Sequence, residues 1–207
     1  HDKLCFINNS YGGSSIMATL NTTNIKHASS SSNNIVLAAN GSVNIPTLTT
    51  NSTFGKILQV VSAHKSDTFS QATSAGVFYD ITGFSASITP ASSSNNILVL
   101  FNINAGFTTG WRGSFRLVRG STAINIGDAS GSVNRATFSA VFTGSSSQTE
   151  QVSSNFLDSP SSTSSLTYKL QLVTEGGTHY INRSSADNTS STYFAGASNL
   201  TLMEVGA

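Results

Sequence analysis

The chain has 207 residues, of which only 9% are charged, and its formal net charge is +1. An average soluble protein carries about 25% charged residues, so Ser, Thr and Asn must solvate this surface, and the near-zero balance excludes long-range steering toward nucleic acid. An apolar fraction of 38% with 12 Phe excludes a disordered chain, and one cysteine, Cys5, excludes an internal disulfide framework.

The first 24 residues are polar and irregular, with Gly12-Gly13 as a flexible point. Met17-Ala18-Thr19 has the look of a translation start, which would make residues 1–16 an upstream extension, a leader remnant or an added segment. No basic stretch precedes an apolar one, so no signal peptide is expected. No apolar run reaches the roughly 18 residues of a membrane-spanning helix. Cys5 is then an inert thiol or half of an intermolecular bridge.

The motif SSSNNI occurs twice, inside residues 30–37 (SSSNNIVL) and 92–100 (SSSNNILVL). In each, a turn-forming polar stretch switches to Ile, Val and Leu, the pattern of a strand launched from a loop. After the first copy comes Asn40-Gly41, whose tolerance of positive φ suits a tight hairpin turn. A hairpin is therefore expected from Ile35–Ala39 and Ser42–Ile45, ended by Pro46. A lone hairpin is marginal in water. Ile25, Ile35, Leu37, Val43 and Ile45 are thus the candidate residues that anchor this segment on a partner surface. Residues 1–24 form an extension, 25–55 hairpin and linker, and 56–207 one body.

In the body, strands are expected at residues 56–63, 77–82, 84–89, 97–104, 114–119, 123–126, 136–143, 151–157, 166–174, 178–183 and 199–205. Phe84, Ala86 and Ile88 alternate with Ser85, Ser87 and Thr89, and Tyr168, Leu170 and Leu172 alternate with Thr167, Lys169 and Gln171. Alternation with period two means one buried and one wet face. The fold class is all-β: an N-terminal β-hairpin extension followed by an antiparallel β-sandwich that is jelly-roll-like.

No catalytic residues are assigned. The 4 His stand apart in the sequence, and no G-x-S-x-G elbow marks a nucleophile. The 9 acids are scattered, and Asp128, Asp158, Glu175 and Asp187 sit beside turns, where capping is their ordinary role. No zinc spacing, calcium loop or phosphate loop occurs, so neither metal nor cofactor is expected. The sequons at Asn182 and Asn199 are what chance gives in a chain rich in Asn, Ser and Thr. Two segments are receptor-binding candidates. Gly110-Trp111-Arg112-Gly113 holds the single Trp. There Trp111 and Arg112 either stack on a sugar ring or partner surface, or Trp111 closes one end of the sandwich. Tyr180 and Arg183, in His179–Arg183, either bind a ligand or form a plain solvated strand face.

In this order the segments resemble a recurrent tail-fibre-like virion protein of phages of marine bacteria and cyanobacteria. The pieces are Thr23–His27 with SSSSNNIVLAANGSVNIP, Gly55–Val61, Tyr79–Phe84, Ser87–Pro90, Phe115–Arg119, Asn182–Ser184 and Leu202–Val205. The resemblance covers about residues 23–205, and residues 1–16 depart from it. It implies a homotrimer in the virion, with a head similar to the C1q and tumour-necrosis-factor type. The expected role is a non-enzymatic fibre or spike bound to other virion proteins, with the head adhering to a host surface glycan or protein. The alternatives are a capsid decoration or cement protein and a cellular carbohydrate-binding adhesin. Neither nucleic acid nor membrane insertion is expected.

Overall fold

The computed structural model describes residues 56–142, 144–187 and 190–207, together with the backbone of 24–25, 35–37 and 43–44. The chain divides into two compact units, residues 1–53 and 54–207. In the first unit, β1 (Asn24–Ile25), β2 (Ile35–Leu37) and β3 (Val43–Asn44) form an antiparallel sheet in that order. The β2–β3 pairing, Leu37 opposite Val43, is the expected hairpin. The Asn40-Gly41 turn, Ile45, Cys5, Met17, the linker and the side chains of Ile25, Ile35, Leu37 and Val43 lie outside the described residues.

The second unit is all-β. Its strands are β4 (Ile57–Lys65), β5 (Phe69–Ala72), β6 (Tyr79–Ile88), β7 (Asn96–Phe107), β8 (Arg112–Arg119), β9 (Thr122–Ile124), β10 (Phe138–Phe142), β11 (Glu150–Asp158), β12 (Leu166–Thr174), β13 (Thr178–Ile181) and β14 (Ser198–Val205). One sheet runs β4-β14-β7-β11, and β13 with β5 continues β14 and β4 along the same edge of β7. The other runs β6-β12-β8-β10, with β9 also on β8. Count the principal strands β4, β6, β7, β8, β10, β11, β12 and β14 from first to eighth. The sheets then read first-eighth-third-sixth and second-seventh-fourth-fifth, which is jelly-roll connectivity.

Two departures from the expected strands have local causes. The strands expected at 77–82 and 84–89 are one strand, Tyr79–Ile88, because Gly83, at φ 76°, sits in a bulge instead of a turn. Asp80 pairs with Gln171 and Ser85 with Lys169, so residues 81–84 lie opposite Leu170 alone. The strand β5 is too short and too weakly patterned to stand out in the sequence; it forms because β13 offers it a partner.

The core lies between the sheets. From β7 it takes Ile97, Val99, Phe101, Ile103, Ala105 and Phe107, and from β6 the expected Phe84, Ala86 and Ile88. Tyr168, Leu170 and Leu172 of β12 face them, fully buried. Burying such side chains contributes about 1.5–3 kcal/mol each. One polar tie crosses the core. The Asp158 carboxylate of β11 accepts from Arg119 of β8, at 2.6 and 2.8 Å, and from the Tyr168 hydroxyl of β12 at 2.6 Å. This corrects the expectation that Asp158 caps a turn. Burial, then the carboxylate, pushes the Tyr168 pKa up.

The second SSSNNI copy works through its Asn95. Its backbone N–H closes the turn onto the Ser92 carbonyl at 3.2 Å, and its side chain donates to Glu204 at 2.6 Å. Glu204 also accepts from the Ala91 N–H at 2.7 Å and from Gln59 at 2.6 Å. These bonds, Asn95 first, hold its carboxyl below the usual range. Glu204 is shielded from solvent.

His179 of β13 is buried, not part of a solvated strand face. Its ring meets Phe107 edge-on at 4.3 Å and Phe115 at 5.8 Å. The Val173 backbone lies near enough to favour the charged ring slightly, but neither ring nitrogen has a hydrogen-bond partner of proper geometry. Burial therefore lowers its pKa to about 3. A base whose pKa falls on folding stabilises fully above its unfolded value, near 6.5, and loses that contribution as pH drops.

Two predictions follow from this packing. Removing either partner of a buried ion pair costs about 3–5 kcal/mol, so Asp158→Ala is expected to lower stability by that order in chemical denaturation. Between pH 6.5 and 4.5 stability is expected to fall with a slope approaching ~1.4 kcal/mol per pH unit. His179→Leu flattens that slope. The depressed carboxyls of Asp67, Asp80, Glu175 and Glu204 act lower, as pH falls through the carboxylate range. A wild-type slope unchanged in the variant refutes the assignment.

Candidate functional site

Trp111 stands at the tip between β7 and β8. Its N–H donates to the Thr108 carbonyl at 3.2 Å, and Gly110 takes φ 89° to make the turn. The indole lies over Gly176 and Gly177, in the turn between β12 and β13. A Cβ on either glycine would come within 2.7 or 2.8 Å of the ring, closer than real contacts allow. So Trp111 does close one end of the sandwich, but from outside, and 41% of it remains exposed.

Arg112, the next residue, forms a two-pronged ion pair with Glu175. Its Nε and Nη2 donate at 3.1 and 2.9 Å, and its backbone N–H adds a bond at 3.2 Å. The guanidinium holds the Glu175 carboxyl below its ordinary range. This replaces the turn-capping role expected of Glu175.

Beside this pair lies a groove of about 540 Å³. The starts and ends of β8 and β12 supply Arg112 and Glu175, and the loop between β9 and β10 supplies Asp128, Val133, Asn134 and Arg135. Arg135 is steadied by donating to the Gly127 carbonyl at 2.6 Å. At the base, Gly113 sits on the buried His179 and Phe107. A Cβ there would lie 2.1 Å from atoms of both rings. The base is therefore fixed by the core beneath it.

Tyr180 and Arg183 are elsewhere. Tyr180 pairs with Gly106 and Ser70 in the first sheet, and the Arg183 guanidinium stacks on its ring at 4.9 Å. The structure does not unite this pair with Trp111 and Arg112. Asn182 between them is buried with its amide fully engaged, so its sequon is not a glycan acceptor in the folded chain.

The outer face of the first sheet is a second distinct surface. Cross-strand register aligns Val60, Met203, Leu98 and Leu157 in one row over four strands. Val60 and Leu157 are 56% and 51% exposed. Further along lies an open depression of about 380 Å³ bordered by Leu100, Asn102, Ser153, Asn155, Asn199 and Thr201. None of these face positions is Asp, Glu, Lys or Arg. Apolar rows of this kind mark surfaces that other chains cover.

Among the described residues, no group of three or more His, Cys, Asp or Glu is placed to hold a metal ion. His64 pairs through Nδ1 with Asn199 at 2.8 Å. Sequence reasoning found Trp111 and Arg112 but missed Asp128, Asn134, Arg135 and Glu175 as their neighbours. Arg112 and Glu175 meet only because β8 pairs with β12, Thr174 opposite Gly113.

No protein-family model matches the chain, and no curated protein matches it. Among solved structures, it is similar to a chain in the structure of infectious bursal disease virus, Gx strain. There the identity is 15% and the TM-score 0.38, over 78% of this chain and 44% of that one. It is also similar to a chain of T=1 particles derived from infectious bursal virus, with 14% identity and TM-score 0.37, over 71% and 37%. This chain thus spans less than half the length of either.

The geometry separates Trp111 from the core. Trp111→Ala is expected to cost about 1 kcal/mol, well under the 3–5 kcal/mol of a buried aromatic. Gly113→Ala is expected to cost more, because His179 and Phe107 cannot withdraw. Urea denaturation of both variants checks the order, and the reverse order sinks it.

Proposed function

We propose that this chain is a non-enzymatic virion structural protein. Its N-terminal segment anchors it to the particle, and its jelly-roll head projects as a homotrimeric fibre or spike that adheres to the host surface. The sequence resemblance to tail-fibre-like phage proteins motivates this reading. The observation that carries it is the charge-free outer face with its apolar row Val60–Met203–Leu98–Leu157. Such a face can be buried without stranding a charge, which is the condition for stable self-association. A structural role asks nothing of the His and acids, whose observed partners are structural.

The same face favours a second reading, a capsid decoration or cement protein whose head lies flat on the shell. Copy number distinguishes the two. A decoration protein is present in many copies over the capsid, and a fibre in few, at the tail or vertices.

Light scattering of the intact chain at micromolar concentration is expected to give a trimer. Val60→Lys with Leu157→Lys is expected to give folded monomers, with a melting temperature lowered by the loss of association. A wild-type monomer refutes self-association. Removing residues 1–50 is expected to leave a folded head that no longer joins the particle, and normal incorporation of the truncated chain refutes the anchor. Polysaccharide, ester and peptide substrates are expected to survive incubation with the protein. Cleavage that one acid-to-alanine substitution abolishes refutes the non-enzymatic role.

A further inference from the structure

We propose that the groove beside Arg112 and Glu175 binds a neutral, hydroxyl-rich ligand: a pyranose presenting adjacent hydroxyls, with Trp111 as the chain neighbour of Arg112 in its wall. The proposal rests on the adhesion reading for its biological setting and on the groove alone for its chemistry.

The first argument is charge. The groove brings two guanidiniums, Arg112 and Arg135, against two carboxylates, Asp128 and Glu175. Its balance is zero, so it attracts neither a polyanion nor a polycation. Yet it is dense in directional groups. Carboxylates accept from hydroxyls and guanidiniums donate to them, and the Asn134 amide does both. Adjacent hydroxyls, each donor and acceptor, can add bonds to such a mixed wall, whose Arg112, Glu175 and Arg135 are already held by partners within the protein.

The second argument is preorganisation. Arg112 and Glu175 fix each other through three bonds, and Arg135 is pinned by Gly127. Gly113 seats the base on the aromatic core. Little side-chain freedom remains to be lost on binding, which favours weak polar ligands.

The third argument is the pair of exposed apolar surfaces beside these groups. Trp111 is next to Arg112 and lies on the glycines that follow Glu175, and Val133 in the groove wall is 68% exposed. A partly exposed indole and the exposed Val133 offer the C–H side of a sugar ring apolar surface while its hydroxyls turn to the polar groups.

The test is a nuclear magnetic resonance titration of the full chain with methyl glucoside, galactoside, mannoside and rhamnoside, with a heparin fragment as the polyanion. At least one pyranoside is expected to shift the Trp111 indole and the amides of Arg112, Gly113 and Arg135 saturably. Glu175→Gln and Asp128→Asn are expected to weaken binding roughly tenfold or more, with melting temperature unchanged. The heparin fragment is expected to leave these signals alone. No shift from any pyranoside, shifts that map elsewhere, tighter heparin binding at the groove, or unchanged affinity in both variants overturns the proposal. Inhibition of particle adsorption to host cells by the purified chain is measured alongside. Inhibition without groove binding overturns this site and leaves adhesion standing. Groove binding without inhibition overturns adhesion and leaves the site.

Discussion

Asn182 holds the first sheet together where its strands break. There β4 gives way to β5 and β13 to β14, and the ladder would lose its partners. Asn182 takes φ 63° and uses every polar atom it has. Its side-chain amide donates to the carbonyls of Lys65 and Asp67, both at 2.9 Å, and its oxygen accepts from Ser198 at 2.7 Å. Its backbone N–H donates to Asn104, and its carbonyl accepts from Gly196, both at 2.9 Å. Asparagine suits the place because it tolerates the left-handed region and offers donor and acceptor at once. Without its side chain, the carbonyls of Lys65 and Asp67 and the buried Ser198 hydroxyl would lose these bonds.

The rest of the head follows from where that break lies. The short strands β5 and β13 carry the sheet toward the loop end and bring His179 beneath Gly113. The aromatic base of the groove is thus a consequence of the broken strand. At the other end, Glu204 clamps the turn that launches β7. At that same end, with Asp158 and Glu204 both opposite Ile97, Arg119, Asp158 and Tyr168 tie the sheets. Polar networks therefore fix three places where apolar packing alone would leave the register loose.

The surface is divided in the same way. The outer face of the first sheet is neutral and partly apolar, whereas the second sheet carries charges that answer one another. Lys169 and Gln171 both bond Asp80 at 2.7 Å, and Arg116 stacks 3.5 Å over Phe78. A face with satisfied charges resists burial, and a face without charges tolerates it.

Much of this was determined by the sequence itself. Period-two alternation chose the inward residues of β12 and of the second half of β6, because a one-residue slip would turn every Phe, Ile and Leu to water. The SSSNNI motif marked the launch of β7, since turn residues and β-branched residues have opposite backbone preferences. Only the tertiary structure decided the remainder. Gly83 reads as a stop but is a bulge, because β12 continues beside it. His179, Asn182, Asp158 and Glu175 read as polar surface or turn residues. Three of them are buried, and all except His179 are paired with groups tens of residues away. No local pattern encodes such pairings: they arise when strands distant in sequence become neighbours, and that register is set by the whole core at once.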